Sequence, residues 1–104
     1  MALLVLFSAA PDLKSAKKIA KVLIDKKCAA CVTLQPGAIS RYRWKNKVEE
    51  SKEVLLTVKT ESRLYGLVEK LILQNHPYDT PEILALPVKR SSKKYLKWAE
   101  ESLE

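Results

Sequence analysis

Residues 30–59 read ACVTLQPGAISRYRWKNKVEESKEVLLTVK, and the period of this stretch decides the fold. Val32 and Leu34 alternate with polar neighbours, as a half-buried strand requires, and Pro36–Gly37 interrupts them as a bend or bulge. Ile39 to Trp44 continues the strand, with Ser40, Tyr42 and Trp44 on one pleat face and Ile39, Arg41 and Arg43 on the other. Lys45–Asn46–Lys47 makes a tight reversal, because Asn46 tolerates positive φ. A third strand then runs from Val48 to about Lys59, polar at its start and apolar through VLLTV. The stretch is therefore one long hairpin whose polar tip projects beyond the core.

Upstream, Ala2 to Phe7 is an unbroken apolar run bounded by Pro11, the pattern of a strand buried on both faces. Asp12 is placed to cap a helix in which Leu13, Ala16, Ala20, Leu23 and Ile24 recur at helical spacing, with lysines on the solvent side. Downstream, Thr60 is placed to cap a second helix built on Leu64, Leu67, Val68, Leu71 and Ile72, which Pro77 stops. Residues 82–88 (EILALPV) form a fourth strand, kept at the sheet edge by Pro87. Ser91 or Ser92 caps a short C-terminal helix carrying Tyr95, Leu96, Trp98 and Leu103. The order β-α-β-β-α-β plus a helix predicts an α+β, ferredoxin-like sandwich forming one domain over residues 1–104. In that plan strands one and three are central and both helices cover one sheet face. ALLVLF and VLLTV put apolar residues on both faces, so a second copy of the chain is the expected cover for the other.

The formal charge of +7 and the pI near 9.5 invite an anionic partner. The lysines are spread along helices as a solvated face, and the hairpin arginines lie opposite its aromatics. Both facts argue against a nucleic-acid stacking platform. Tyr42 and Trp44 instead read as packing against a neighbouring subunit. MALLVLFSAA lacks a charged leader region and is too short to span a bilayer, so no membrane role and a cytoplasmic location are expected. Cys28 and Cys31 have C-x-x-C spacing, but no second pair completes a zinc set, and they close a helical pattern where a redox pair would open one. They read as small buried residues. Chemistry gathers instead at residues 74–82, QNHPYDTPE, which hold the only histidine. His76, Asp79 and Glu82 offer nitrogen and oxygen ligands to a divalent cation, with a cysteine sulfur as a further candidate. No nucleophile neighbours His76 in sequence, and Gly37 and Gly66 belong to no phosphate loop, so an enzyme is not expected.

AACV (residues 29–32), Ser40-x-Tyr42-x-Trp44, Lys47-x-Glu49, Glu53–Val54, Lys59–Thr60, HPYDTPE (residues 76–82), LPV and Tyr95-x-x-Trp98 together resemble the CutA family of divalent-cation tolerance proteins. The resemblance covers essentially the whole chain. It implies a ferredoxin-like subunit in a homotrimer, cytoplasmic and non-enzymatic, that binds divalent metal ions, Cu2+ above others, in response to metal. It also implies an alternative, because the family's trimer looks like that of nitrogen-regulatory signalling proteins. In that case the chain is a small-ligand sensor or adaptor with metal binding incidental. Residue by residue, the resemblance puts His76, Cys31 and Glu82 at metal-binding positions. It puts Lys59, Tyr78 and Trp98 in a pocket between subunits, and Tyr42 and Trp44 at the trimer interface. Asn75 stands where some metal-binding members carry a second histidine, and Phe7–Ser8 where they carry a cysteine, which leaves fewer soft ligands.

Overall fold

The computed structural model describes residues 2–104. Its elements are β1 (Leu3–Ala10), α1 (Leu13–Asp25), β2 (Cys31–Trp44), β3 (Lys47–Glu61), α2 (Tyr65–Asn75), β4 (Leu84–Pro87) and α3 (Lys93–Glu101), with a 3-10 turn at Ser62–Leu64. The strands form one antiparallel sheet in the order β2-β3-β1-β4, the ferredoxin-like order expected from the sequence. Leu6, Ala10, Val54, Leu56 and Val58 point from the central strands into a core closed by Ala16, Ile19 and Leu23 of α1 and Val68 and Ile72 of α2. The α1 stripe is thus centred on Ile19, while Leu13 and Ile24, expected inside, lie at its exposed edges.

Local chemistry explains the boundaries. The Asp12 carboxylate accepts the Ser15 amide at 2.7 Å, and the Ser92 hydroxyl accepts the Tyr95 amide at 3.1 Å, so both predicted caps form. At the other end of α1, Lys27 takes a left-handed φ of 55° while its amide and that of Cys28 donate to the Ile24 and Leu23 carbonyls, closing the helix. Thr60 is not the cap of α2. It lies fully buried in β3, which runs on to Glu61, and its hydroxyl donates to the Cys28 carbonyl at 2.6 Å. That bond satisfies both groups inside the core, which outweighs any capping role. β1 runs three residues beyond the apolar run, because Ser8, Ala9 and Ala10 pair with Leu56, Leu55 and Val54. β4 is shorter than expected, since only Leu84–Pro87 reach β1.

The reversal expected over Lys45–Asn46–Lys47 is tighter by one residue, a two-residue turn at Lys45–Asn46, both at positive φ (49° and 66°), between the paired Trp44 and Lys47. The register slips at Pro36–Gly37, where Gln35 pairs with Leu55 but Ala38 pairs with Glu53. Gly37 supplies the positive φ of 88° that this bulge needs. One extra residue reverses the pleat parity of β2. Cys31, Thr33 and Gln35 therefore share the sheet face away from α1 and α2 with Ala38, Ser40, Tyr42 and Trp44.

That second face is only partly covered. α3 packs Ala99 and Leu96 against Leu3, Ala30 and Val88 at one end. Beyond it, Leu55, Leu84 and Leu86 are exposed around Val5 and Phe7.

The covered core contains one polar irregularity. Ser8 is buried, and its hydroxyl has no hydrogen-bond partner among the described residues. An orphaned buried hydroxyl costs on the order of 1–3 kcal/mol, so Ser8→Ala should raise stability, by about 1 kcal/mol, in chemical denaturation. A lower midpoint would show that the hydroxyl is in fact bonded.

Candidate functional site

The α2–β4 connection carries the HPYDTPE stretch and stands against the base of the hairpin. Between them opens a cleft of about 750 Å³, with Ala9 and Glu53 on the sheet side, Ser40, Tyr42 and Trp44 on the hairpin side, and Pro77 to Thr80 and Glu82 on the loop side. The bulge makes this arrangement possible, because without its extra residue Tyr42 and Trp44 would face away from Glu53.

His76 holds the loop. It follows α2 with extended backbone (φ −88°, ψ 136°), a conformation the residue before a proline favours. The ring is buried, its Nε2–H donates to the Ala9 carbonyl at 2.7 Å, and its Nδ1 accepts the Tyr78 amide at 3.0 Å. The carbonyl can only accept and the amide can only donate, so these partners fix the tautomer. Both ring nitrogens are therefore committed to the fold. The Tyr78 ring lies against the imidazole at a centroid separation of 4.9 Å, and its hydroxyl donates to Glu53 Oε2 at 3.0 Å. Glu53 is itself buried, at 8% exposure. Tyr42, on the opposite wall, bonds the Ser51 hydroxyl at 2.9 Å.

Burial first, and the bond to the Glu53 carboxylate next, push the Tyr78 phenol up to about 12. A folded-state value above the unfolded one of about 10 contributes stability in full below pH 10, lost as the pH rises toward 12. Allowing for solvent reaching the half-buried ring, the contribution is about 1 kcal/mol. The stability advantage of the parent over Tyr78→Phe, followed by urea denaturation, should narrow across that window. An advantage unchanged from pH 9 to 12 would contradict the Tyr78–Glu53 bond.

The other sequence candidates lie at the far end of the open face. Cys31 pairs with Lys59, which pairs with Val5, which pairs with Leu86, so these four form one row across the sheet. The Cys31 thiol is half-exposed and lies 3.7 Å from the Thr33 hydroxyl. It is not the buried packing residue expected; Cys28 is, and its burial raises its thiol pKa. Tyr95 sits over this end, its phenol raised mainly by burial and secondarily by the nearby Cys31, and Trp98 packs on it as a tilted ring with centroids 5.5 Å apart. Lys59 and Trp98 therefore belong with Cys31, whereas Tyr78 belongs with Glu53 and the cleft. The Cys31 row is four residues, or about 13 Å, from the Ala9 row that holds His76. Glu82 is exposed at the cleft rim. Within one chain the structure does not bring Cys31, His76 and Glu82 together, and among the described residues no three His, Cys, Asp or Glu side chains group as metal donors.

Glu53 is the residue the sequence reading missed. Its carboxylate sits in a strand that looks merely polar at that end, and its partner Tyr78 lies 25 residues further along the chain, so no local pattern marks it.

A four-stranded antiparallel sheet with α1 and α2 on one face and an extended hairpin defines a ferredoxin-like α+β protein. This chain belongs to the CutA1 divalent ion tolerance protein family, whose model matches residues 4–102. The divalent-cation tolerance protein CutA of Yersinia pestis is 44% identical over 100 residues, 96% of this chain and 84% of that protein. The mouse and human proteins named Protein CutA are 41% identical over 98 residues, 94% of this chain. The chain spans 55%, about half, of the length of these two relatives. A solved structure of CutA from Archaeoglobus fulgidus, described as a periplasmic divalent cation tolerance protein, superposes with a TM-score of 0.95 at 37% identity, covering 98% of this chain and 99% of that one. No helix among the described residues is long and apolar enough to cross a membrane.

Proposed function

We propose that the chain acts as a homotrimer that binds divalent metal ions, copper above others, at the seams between copies, and that it is a binding protein and not an enzyme. The open sheet face carries this reading. Val5, Phe7, Leu55, Leu84 and Leu86 form an apolar surface that one chain leaves wet, at a cost of about 25 cal/mol per Å². Both sheet edges, the long β2 and the short β4, are unpaired in one chain. Joining the β2 edge of one copy to the β4 edge of the next is a head-to-tail contact that leaves no free edge once it closes into a ring, and the proposed ring has three members. Tyr42 and Trp44 lie on the same face and become interface residues.

The same contact puts Cys31, on β2, and Glu82, just before β4, on one seam from two different copies. A soft thiolate beside a carboxylate suits Cu2+ better than a hard cation. His76 joins the set by exchanging the Tyr78 amide for metal at Nδ1. The reading puts the work in the cytoplasm, where Cys31 stays a reduced thiol. Calorimetric titration with Cu2+ at fixed pH tests the donors. Cys31→Ser and Glu82→Gln should each weaken binding about tenfold or more, a loss of one donor's worth. Unchanged affinity in both variants would overturn the seam site.

A second reading is favoured by the cleft itself. Its volume is that of a small-molecule site, and its walls combine half-exposed aromatics with a buried carboxylate. In this reading the trimer senses a small ligand, and metal is incidental.

A further inference from the structure

We infer that the cleft at the hairpin base takes a small organic cation bearing a primary ammonium group, with the Glu53 carboxylate as its counter-charge. The inference rests on the ligand-sensing reading in treating the cleft as a binding site, and it holds whether or not copper binds at the seams.

Charge is the first observation. The chain carries a formal +7, yet the cleft is lined by the three carboxylates of Glu53, Asp79 and Glu82 and by a single cation, Arg41. That cation is already taken, because Arg41 Nη2 holds Glu50 Oε2 at 2.7 Å. The lining is therefore acidic on a basic protein.

Burial is the second and independent observation. Glu53 is 8% exposed and has no cationic partner among the described residues. Its carboxylate accepts one bond, from the Tyr78 hydroxyl. Among the described residues the neutral Tyr78 hydroxyl is the donor to this carboxylate, and a positive group reaching it from the cleft would supply a counter-charge that no described side chain provides.

The walls choose between kinds of cation. A divalent metal needs several oxygen, nitrogen or sulfur donors converging on one point, and the carboxylates here form no such group. The Tyr78 hydroxyl is turned to Glu53 as a donor, so it presents no free lone pair in that direction. Tyr42 and Trp44, the residues assigned to the interface between copies, also line this cleft, so the cleft belongs to that interface, and their ring faces attract an alkylammonium through the ring quadrupole while accommodating its methylenes. The volume of about 750 Å³ admits a molecule of several carbons and leaves far more room than an ion needs.

Titrating the protein with 1,4-diaminobutane by calorimetry tests the inference, with sodium acetate as the anionic counterpart. The parent should bind the diamine, and more weakly as salt is raised. Glu53→Gln keeps an acceptor for Tyr78 and should lose at least tenfold in affinity. Asp79→Asn, at an exposed position that puts folding at no risk, should lose a smaller factor. No heat with the diamine, or equal affinity in parent and Glu53→Gln, overturns the inference. If acetate binds in the cleft and the diamine does not, the cationic assignment falls while the sensing reading stands. If a lysine or arginine of a second copy already neutralises Glu53, the diamine stays silent and Glu53→Gln weakens self-association, which also overturns it.

Discussion

His76→Ala should lower the stability of the protein by about 3 kcal/mol, measured by chemical denaturation at neutral pH. The ring is buried and both its nitrogens are used, Nε2–H on the Ala9 carbonyl at 2.7 Å and Nδ1 on the Tyr78 amide at 3.0 Å. Alanine removes both bonds and leaves an acceptor and a donor unpaired at about 1–3 kcal/mol each where burial is complete. It also leaves a void beside the Tyr78 ring, which stands 4.9 Å away by centroid. The loss should propagate to the cleft, since the loop that forms one wall is fastened to β1 through this side chain. A histidine serving only as an exposed ligand would cost under about 0.5 kcal/mol when removed. Metal affinity lost in His76→Ala must accordingly be read beside its stability. Cys31→Ser and Glu82→Gln carry no such confusion, since neither side chain is buried.

The second large effect lies on the open sheet face. Leu84→Glu should convert the assembled protein into a monomer at micromolar concentration while leaving the fold of one chain nearly unchanged. Leu84 is 59% exposed and pairs with Phe7, whose row continues to Thr57 and Thr33, so no cation on that row stands ready to neutralise a carboxylate. In a lone chain the new charge remains hydrated and costs under about 0.5 kcal/mol. In a seam it is desolvated against apolar side chains, at several kcal/mol per contact, or more than a hundredfold in association. Sedimentation velocity of parent and variant reads the difference directly. Copper binding should fall with the assembly, because the proposed donors come from two copies. A variant that stays assembled would mean that the face is covered in some other way.

Much of this fold is visible in the residues. The Lys45–Asn46 turn, the Asp12 and Ser92 caps and the hairpin follow from local chemistry, and local chemistry is what a sequence displays. The strand order follows from the βαββαβ succession and the connection rules. Errors arose where a distant partner outbid a local preference. Thr60 suits a helix cap by type, yet its hydroxyl is claimed by a carbonyl 32 residues away. His76 is a metal ligand in the proposal alone, and within one chain its ring is held by a residue 67 positions earlier, which no local pattern displays. The cleft was half legible: Tyr78 and Glu82 stood out, whereas Glu53 did not. Its partnership with Tyr78 spans 25 residues, and Tyr42 and Trp44 share its face only because of one extra residue at Pro36–Gly37, whose effect on the parity of β2 appears once the register is known. The metal candidates were drawn from one family pattern, and the fold sends Cys31 to one end of the sheet and His76 to the other.

In the proposed trimer one chain is incomplete, and its open face, its free edges and its divided donors are completed by copies of itself. Sedimentation equilibrium of the parent protein at micromolar concentration tests this most directly. The parent should sediment as a particle of about three times the 11.8 kDa chain mass, unchanged on tenfold dilution. A single species at 11.8 kDa would contradict it.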